Sequence, residues 1–166
     1  NIEKYTGGKQ FCCPTSKCDI LFTKICPGIA YQILGPIGDA NIEVDVILQN
    51  VGDEGRTDFT FTVSRNDLEE AEAICESHIA ELGALEWRSD SKIAKVSVVG
   101  VGMRSHAGVA TNMFKALAEV GVNIQMISTS EIKISVIIEE KFLELAVRTL
   151  HSAFELDQPQ AGEATG

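Results

Sequence analysis

Residues 122–131, V-N-I-Q-M-I-S-T-S-E, decide how the chain is read. The stretch opens as a strand, with Val122, Ile124 and Met126 on one side and Asn123 and Gln125 on the other. It then ends in Ile127, Ser128, Thr129, Ser130 and Glu131, a cluster of hydroxyls and a carboxylate. Small polar groups at a strand end either close a turn or hold a small polar ligand, and Ser and Thr are ordinary turn residues. The ligand reading gains ground because the same element occurs twice in the chain.

An offset of 80 residues superposes the two halves without a gap from the first loop through the second strand: Gly28 falls on Gly108, Ile29 on Val109, Ile37 on Leu117, Val44 on Ile124 and Gln49-Asn50 on Thr129-Ser130. Each half reads strand, helix, strand, strand, helix. In the first half the spacing predicts a strand over 18–25 and a helix from Ile29 to Ala40 along Ile29, Ile33, Leu34 and Ile37, with a kink at Pro36. Strands over 42–50 and 57–63 follow, then a helix along Leu68, Ala71, Ile74, Cys75 and Ile79, stopped by Gly83. A short strand over 85–87 closes this half, and Asp90-Ser91 reads as a polar joint. The second half has strands over 93–101, 122–127 and 132–138, a helix from Val109 to Val120, and a last helix burying Phe142, Leu145, Ala146, Leu150 and Phe154.

This order predicts an α+β fold: two ferredoxin-like β-α-β-β-α-β domains in tandem, with antiparallel sheets and helices on one face. The domains span 16–88 and 92–156, and 157–166 is a flexible tail. The second half lacks a final strand, and a strand drawn from 1–15, with 2–5 as its candidate, would complete it and cover the open edge.

Composition narrows the function. The 166 residues are 45% hydrophobic and 23% charged, so a packed core is expected. A formal net charge of −10 argues against nucleic-acid or anionic-membrane binding, which need a basic face. No apolar run has the length of a transmembrane helix. The chain starts at Asn1 without a secretory pattern, which reads as a fragment or trimmed chain. The five cysteines include only Cys13 and Cys18 at a zinc-like spacing with no nearby His, so thiols in a reducing, cytoplasmic compartment are expected and no metal site.

Catalytic chemistry is weakly signalled. His78 and His151 fall within helices; His106 lies in a loop beside Ser105, a sequence neighbour that lacks the spatial pairing a nucleophile needs. Gly100 and Gly102 lack the third glycine of a dinucleotide fingerprint, and no P-loop is present. A binding reading is stronger. In each half a glycine-containing loop runs into a helix N-terminus, where free N–H groups favour a carboxylate. The second strand of each half ends there with polar groups, Gln49-Asn50 or Ser128 to Glu131.

The segments G-V-G-M-R-S-H-A-G-V-A at 100–110, N-I-Q-M-I-S-T-S-E-I-K-I-S-V-I-I at 123–138 and V-D-V-I-L-Q-N-V at 44–51 resemble the tandem ACT-domain regulatory region of bacterial aspartate kinase. The segments at 57–63 and 143–151 fit as well. The resemblance implies binding of lysine, threonine or both, feedback control of a kinase module, and a homodimer formed by ACT pairing. It implies no catalytic residue, metal or cofactor in this chain; ATP and magnesium would belong to the kinase domain, and this chain alone would not phosphorylate aspartate. By the same resemblance, one effector site uses the backbone of Gly28, Ile29 and Ala30 with Gln49 and Asn50, completed by Asn123 and Ile124 of a partner chain. The other uses Met103, Ser105 and Val109 with Gln125, Ser130 and Glu131. The family's Asp two residues before Pro-Gly is replaced by Ile25. A stand-alone enzyme using His106 and Ser105, or an effector-insensitive dimerisation module, are the competing readings.

Overall fold

In the computed structural model, residues 9–22, 26–99 and 108–154 are described. The chain forms β1 (Lys9–Phe22), α1 (Ile29–Asp39), β2 (Val44–Val51), β3 (Thr57–Ser64), α2 (Leu68–Leu82), β4 (Ala84–Val99), α3 (Val109–Glu119), β5 (Ile124–Thr129), β6 (Lys133–Glu139) and α4 (Leu143–Ala153). It divides into two compact units.

The first unit is Pro14–Ile93. Its strands run in the order β2-β3-β1-β4, which is the ferredoxin-like arrangement. β3 is antiparallel to both neighbours, pairing Phe61 with Cys18 on β1 and Ile47 on β2. Alternation puts Cys18, Ile20, Phe22, Phe59, Phe61 and Val63 on one face, under Ile29, Ile33 and Ile37 of α1 and Ala71 and Cys75 of α2. α1 tolerates Pro36 without ending, although that residue lacks the N–H that would bond back to Gln32. After α1 the chain turns through Asn41 at φ 60°, with Asn41 N–H donating to Gly38 and Ile42 N–H to Ile37. The second unit repeats this end: Gly121 at φ 75° donates to Ala118, and Val122 to Leu117.

The second unit comprises 94–154 together with 9–13. Its order is β5-β6-β4, with β1 on the other side of β4. Val96, Val98, Ile134, Val136 and Ile138 meet Val109, Met113 and Leu117 of α3 and Ala146 and Leu150 of α4. On α4, Leu145 is 38% exposed, whereas the sequence reading placed it inward; Leu143 packs in its stead, and Phe154 is buried as expected. The periodicity of 3.6 sets the stripe through Leu143, Ala146 and Leu150 and carries Leu145 off it.

Two strands run longer than the expected 85–87 and 18–25. β4 continues through Asp90 and Ser91, because no glycine or proline lies between Ala84 and Val99 and polar side chains alone do not stop a paired strand. β1 begins at Lys9 and passes Pro14, where the division between the units falls. β1 and β4 therefore each contribute to both units, and the stretch beside β4 in the second unit is 9–13. The candidate strand at 2–5, Ile25 and the tail at 157–166 lie outside the described residues.

Cys18 and Cys75 are buried free thiols in the first core and Cys26 is exposed. Burial pushes the Cys75 thiol up from 9 to about 11, with Glu72 and Glu76 adding to the effect, and pushes Cys18 higher still. The folded state thus holds these protons more tightly than the unfolded chain. Stability is unaffected while both states keep them and falls as pH rises between about 9 and 11, where only the unfolded chain releases them. Urea midpoints across that window should fall, and should fall less steeply after Cys75→Ala; an equal slope would show that other groups carry the alkaline loss. Among the described residues no helix is long and apolar enough to cross a membrane, and no group of His, Cys, Asp and Glu is arranged to hold a metal ion.

Candidate amino-acid-binding site

The loop before α1 builds the better-defined site. Gly28 caps the helix at φ 87°, a left-handed conformation that costs glycine little and other residues considerably more. The Ile29 N–H donates to the Cys26 carbonyl at 3.2 Å, and the Gln32 N–H is the first to bond back into the helix, to Gly28 at 3.0 Å. The amides of Ala30 and Tyr31 lie ahead of that bond and have no acceptor within the helix. Around this terminus lies a cavity of about 310 Å³ lined by Cys26, Pro27, Gly28, Ile29, Ala30 and Gln49.

The charge pattern distinguishes this helix end. α2 carries Glu69 and Glu70 in its first turn and α4 carries Glu144, so their own carboxylates meet the positive end of the helix. α1 and α3 have no acidic residue in the first turn. Neither of these N-termini meets a carboxylate from its own first turn.

Gly28, Ile29, Ala30 and Gln49 thus meet at one cavity. Ile29 contributes backbone, since its side chain is buried in the core. Asn50 does not line the cavity, because successive residues of β2 point to opposite faces. Cys26 and Pro27 do line it and had not been singled out; their signal was adjacency to the capping glycine.

In the second unit Gly108 takes the equivalent left-handed conformation at φ 102°, and Asn112 N–H returns to its carbonyl at 2.8 Å. Val109 is buried with Met113 and Leu117, so it too presents only backbone. Gln125 is exposed on β5, Asn123 is exposed just before that strand, and Ile124 is half-buried at its start. Ser130 closes the hairpin: its N–H donates to the Lys133 carbonyl at 2.7 Å and its hydroxyl to the same oxygen at 3.5 Å. Glu131 follows, exposed. The turn reading of this stretch is thus realised in Ser130. Met103, Ser105 and His106 lie outside the described residues.

The family profile described as ACT domain matches residues 96–154. The aspartate kinase of Pseudomonas fluorescens (strain SBW25) is 67% identical over 133 residues, which is 80% of this chain and 32% of that protein. The chain thus spans about a third of that relative's length. Among solved structures, one of aspartokinase alpha and beta subunits is similar with a TM-score of 0.81 and 50% identity, covering 88% of this chain and 97% of that one. The ligand-free regulatory subunit of aspartate kinase from Thermus thermophilus is similar with a TM-score of 0.81 and 37% identity, covering 89% of this chain and 96% of that one.

Proposed function

This chain belongs to the aspartate kinase family as an ACT-domain regulatory region, and we propose that it senses lysine, threonine or both and relays their binding as feedback inhibition of a kinase module. An allosteric regulatory role is what the regulatory-subunit relatives support. The observation that carries the finer reading is the α1 N-terminus, left without its own carboxylate, opening into a cavity with Gln49 on its wall. The effector's carboxylate meets the Ala30 and Tyr31 amides, and Gln49 accepts from its ammonium group.

In this reading Asn123 and Ile124 of a partner copy close the first site, and the second site draws on Met103, Ser105, Val109, Gln125, Ser130 and Glu131. The homodimer pairs through edge strands. Support comes from β2, which presents exposed Ile47, Leu48 and Val51, and from β5, which presents Ile127 at the position equivalent to Ile47. ATP, magnesium and the phosphoryl transfer to aspartate are assigned to the kinase part.

Calorimetric titration with lysine and with threonine tests the proposal. Gln49→Ala is expected to weaken the first site by about tenfold, the cost of one hydrogen bond to a charged group. Absence of heat and of any change in Tm with either amino acid would overturn the reading.

A further inference from the structure

The effector cavity receives Gln49 and not Asn50, and alternation along β2 does not by itself say which of the two it should be. The choice is made a few residues upstream. Val44 pairs with Val63 and Ile47 with Phe61, so Asp45 and Val46 together stand opposite Thr62 alone. This is a β-bulge, one extra residue on β2. Beyond it Gln49 pairs with Phe59, which puts Gln49 on the face that carries Phe59 and Phe61 into the core. Without the bulge, the pairing of Val44 with Val63 would continue as Val46 with Phe61, Leu48 with Phe59 and Asn50 with Thr57. Gln49 would then point to the opposite face.

A side chain of β3 ties the bulge down. The Val46 N–H donates to the Thr62 hydroxyl oxygen at 3.0 Å, and Thr62 is fully buried. The bond belongs to the bulged pairing, in which Val46 stands beside Thr62 and not beside Phe61. Within the chain β2 ends the strand order, with β3 as its neighbour, so the register of β2 rests on this one partner strand. The second unit builds a bulge at the corresponding place, where Ile124 pairs with Ile138, Met126 with Ile137 and Ile127 with Val136. There the residue opposite the bulge is Ile137, which has no hydroxyl to offer. The fold thus forms the bulge in both units, and the first unit adds a bond that secures it.

We infer that Thr62 is a positioning residue of the effector site: its hydroxyl holds the β2 bulge, and the bulge presents Gln49 to the cavity. Thr62 lies on the other face of β3 from Phe59 and Phe61, so it acts through β2 and touches no effector itself. The effector part of this inference rests on the sensor reading above; the bulge and its bond do not.

Calorimetry with lysine and with threonine tests the inference. Thr62→Val keeps the β-branched shape and removes the acceptor. It is expected to weaken the first site about fivefold, the worth of one hydrogen bond when the loss falls on the binding-competent register. Thr62→Ser keeps the acceptor and should bind like the unsubstituted chain. In a Gln49→Ala background Thr62→Val should add no further loss, a non-additivity that a general loss of stability does not produce. Unchanged affinity in Thr62→Val, an equal loss in Thr62→Ser, or a loss that adds in full to that of Gln49→Ala overturns the inference.

Nuclear magnetic resonance tests the bulge without any effector. The Val46 amide should exchange slowly in the unsubstituted chain and in Thr62→Ser, and about fivefold faster in Thr62→Val. Exchange unchanged in Thr62→Val, or cross-strand Overhauser contacts that pair Val46 with Phe61 in the unsubstituted chain, overturns the inference. If Thr62→Val does not fold, the unsubstituted chain and Thr62→Ser decide: fast exchange of Val46 in both, or loss of binding in Thr62→Ser, overturns it. Heat from neither amino acid would sink the sensor reading, while the exchange and Overhauser data would still decide whether Thr62 holds the bulge.

Discussion

Phe61→Ala is expected to cost the first unit about 3–5 kcal/mol, the range for truncating a buried phenylalanine. Phe61 is fully buried on β3, the strand between β2 and β1. Its register partners are Cys18 and Ile47, and its ring centroid lies 6.3 Å from that of Phe59. Neighbours on both sides are held by backbone ladders, so little can collapse into the space left. The loss is a large part of the 5–15 kcal/mol that typically separates folded from unfolded states. Trp87, the single tryptophan, packs against the same core, so its fluorescence during urea unfolding reads this unit directly. Leu145→Ala is the comparison: at 38% exposure it should cost less than about 1 kcal/mol. If Phe61→Ala cost no more than Leu145→Ala, the assignment of the core would be wrong.

Gly28→Val should nearly abolish binding at the first effector cavity. Gly28 sits at φ 87°, and nothing lies within 4 Å of a Cβ added there, so the penalty is conformational and not a clash. A side chain in the left-handed region costs about 1–2 kcal/mol, and a β-branched one is among the worst suited. The loop is expected to relieve that strain by moving away from the α1 amides. If all of it falls on the binding-competent state, affinity drops about 5–30-fold from strain alone, before the valine methyls occupy cavity volume. Gly38→Ala is the control: it lies inside α1, has open space for a Cβ and no left-handed φ, and should stabilise slightly without changing affinity. Calorimetry on both variants distinguishes the cases. Unchanged affinity in Gly28→Val would remove this loop from the site.

Much of the fold was legible because two periodicities were clean. The 3.6-residue stripe of Ile29, Ile33 and Ile37 and the alternation of Phe59, Phe61 and Val63 each predicted a buried face, and those residues are buried. The 80-residue offset held for α1 and α3, whose bounds differ by that number at both ends. Strand lengths were less legible. β1 runs past Pro14 and β4 past Asp90, because strand continuity depends on backbone partners that local composition does not reveal. Bulges between Val44 and Ile47, and between Ile124 and Met126, were invisible for the same reason.

The site followed the same division. Glycine before a helix, with polar residues at a neighbouring strand end, pointed to Gly28 and Gln49, and the family resemblance added Ile29 and Ala30; these four line one cavity. Alternation along β2 kept Asn50 out of the lining, and the cavity added Cys26 and Pro27.

By itself, the sequence determined the element order, the repeat, the two cores and the helix ends, because these rest on periodicity and on local backbone preference. Only the tertiary structure decided that the part of 1–15 beside the second unit is 9–13, carried by a strand that runs on past Pro14, and that β1 and β4 each contribute to both units. Those facts depend on contacts between residues distant along the chain, where hydrogen-bond pairing and side-chain packing choose among arrangements that local pattern leaves equal.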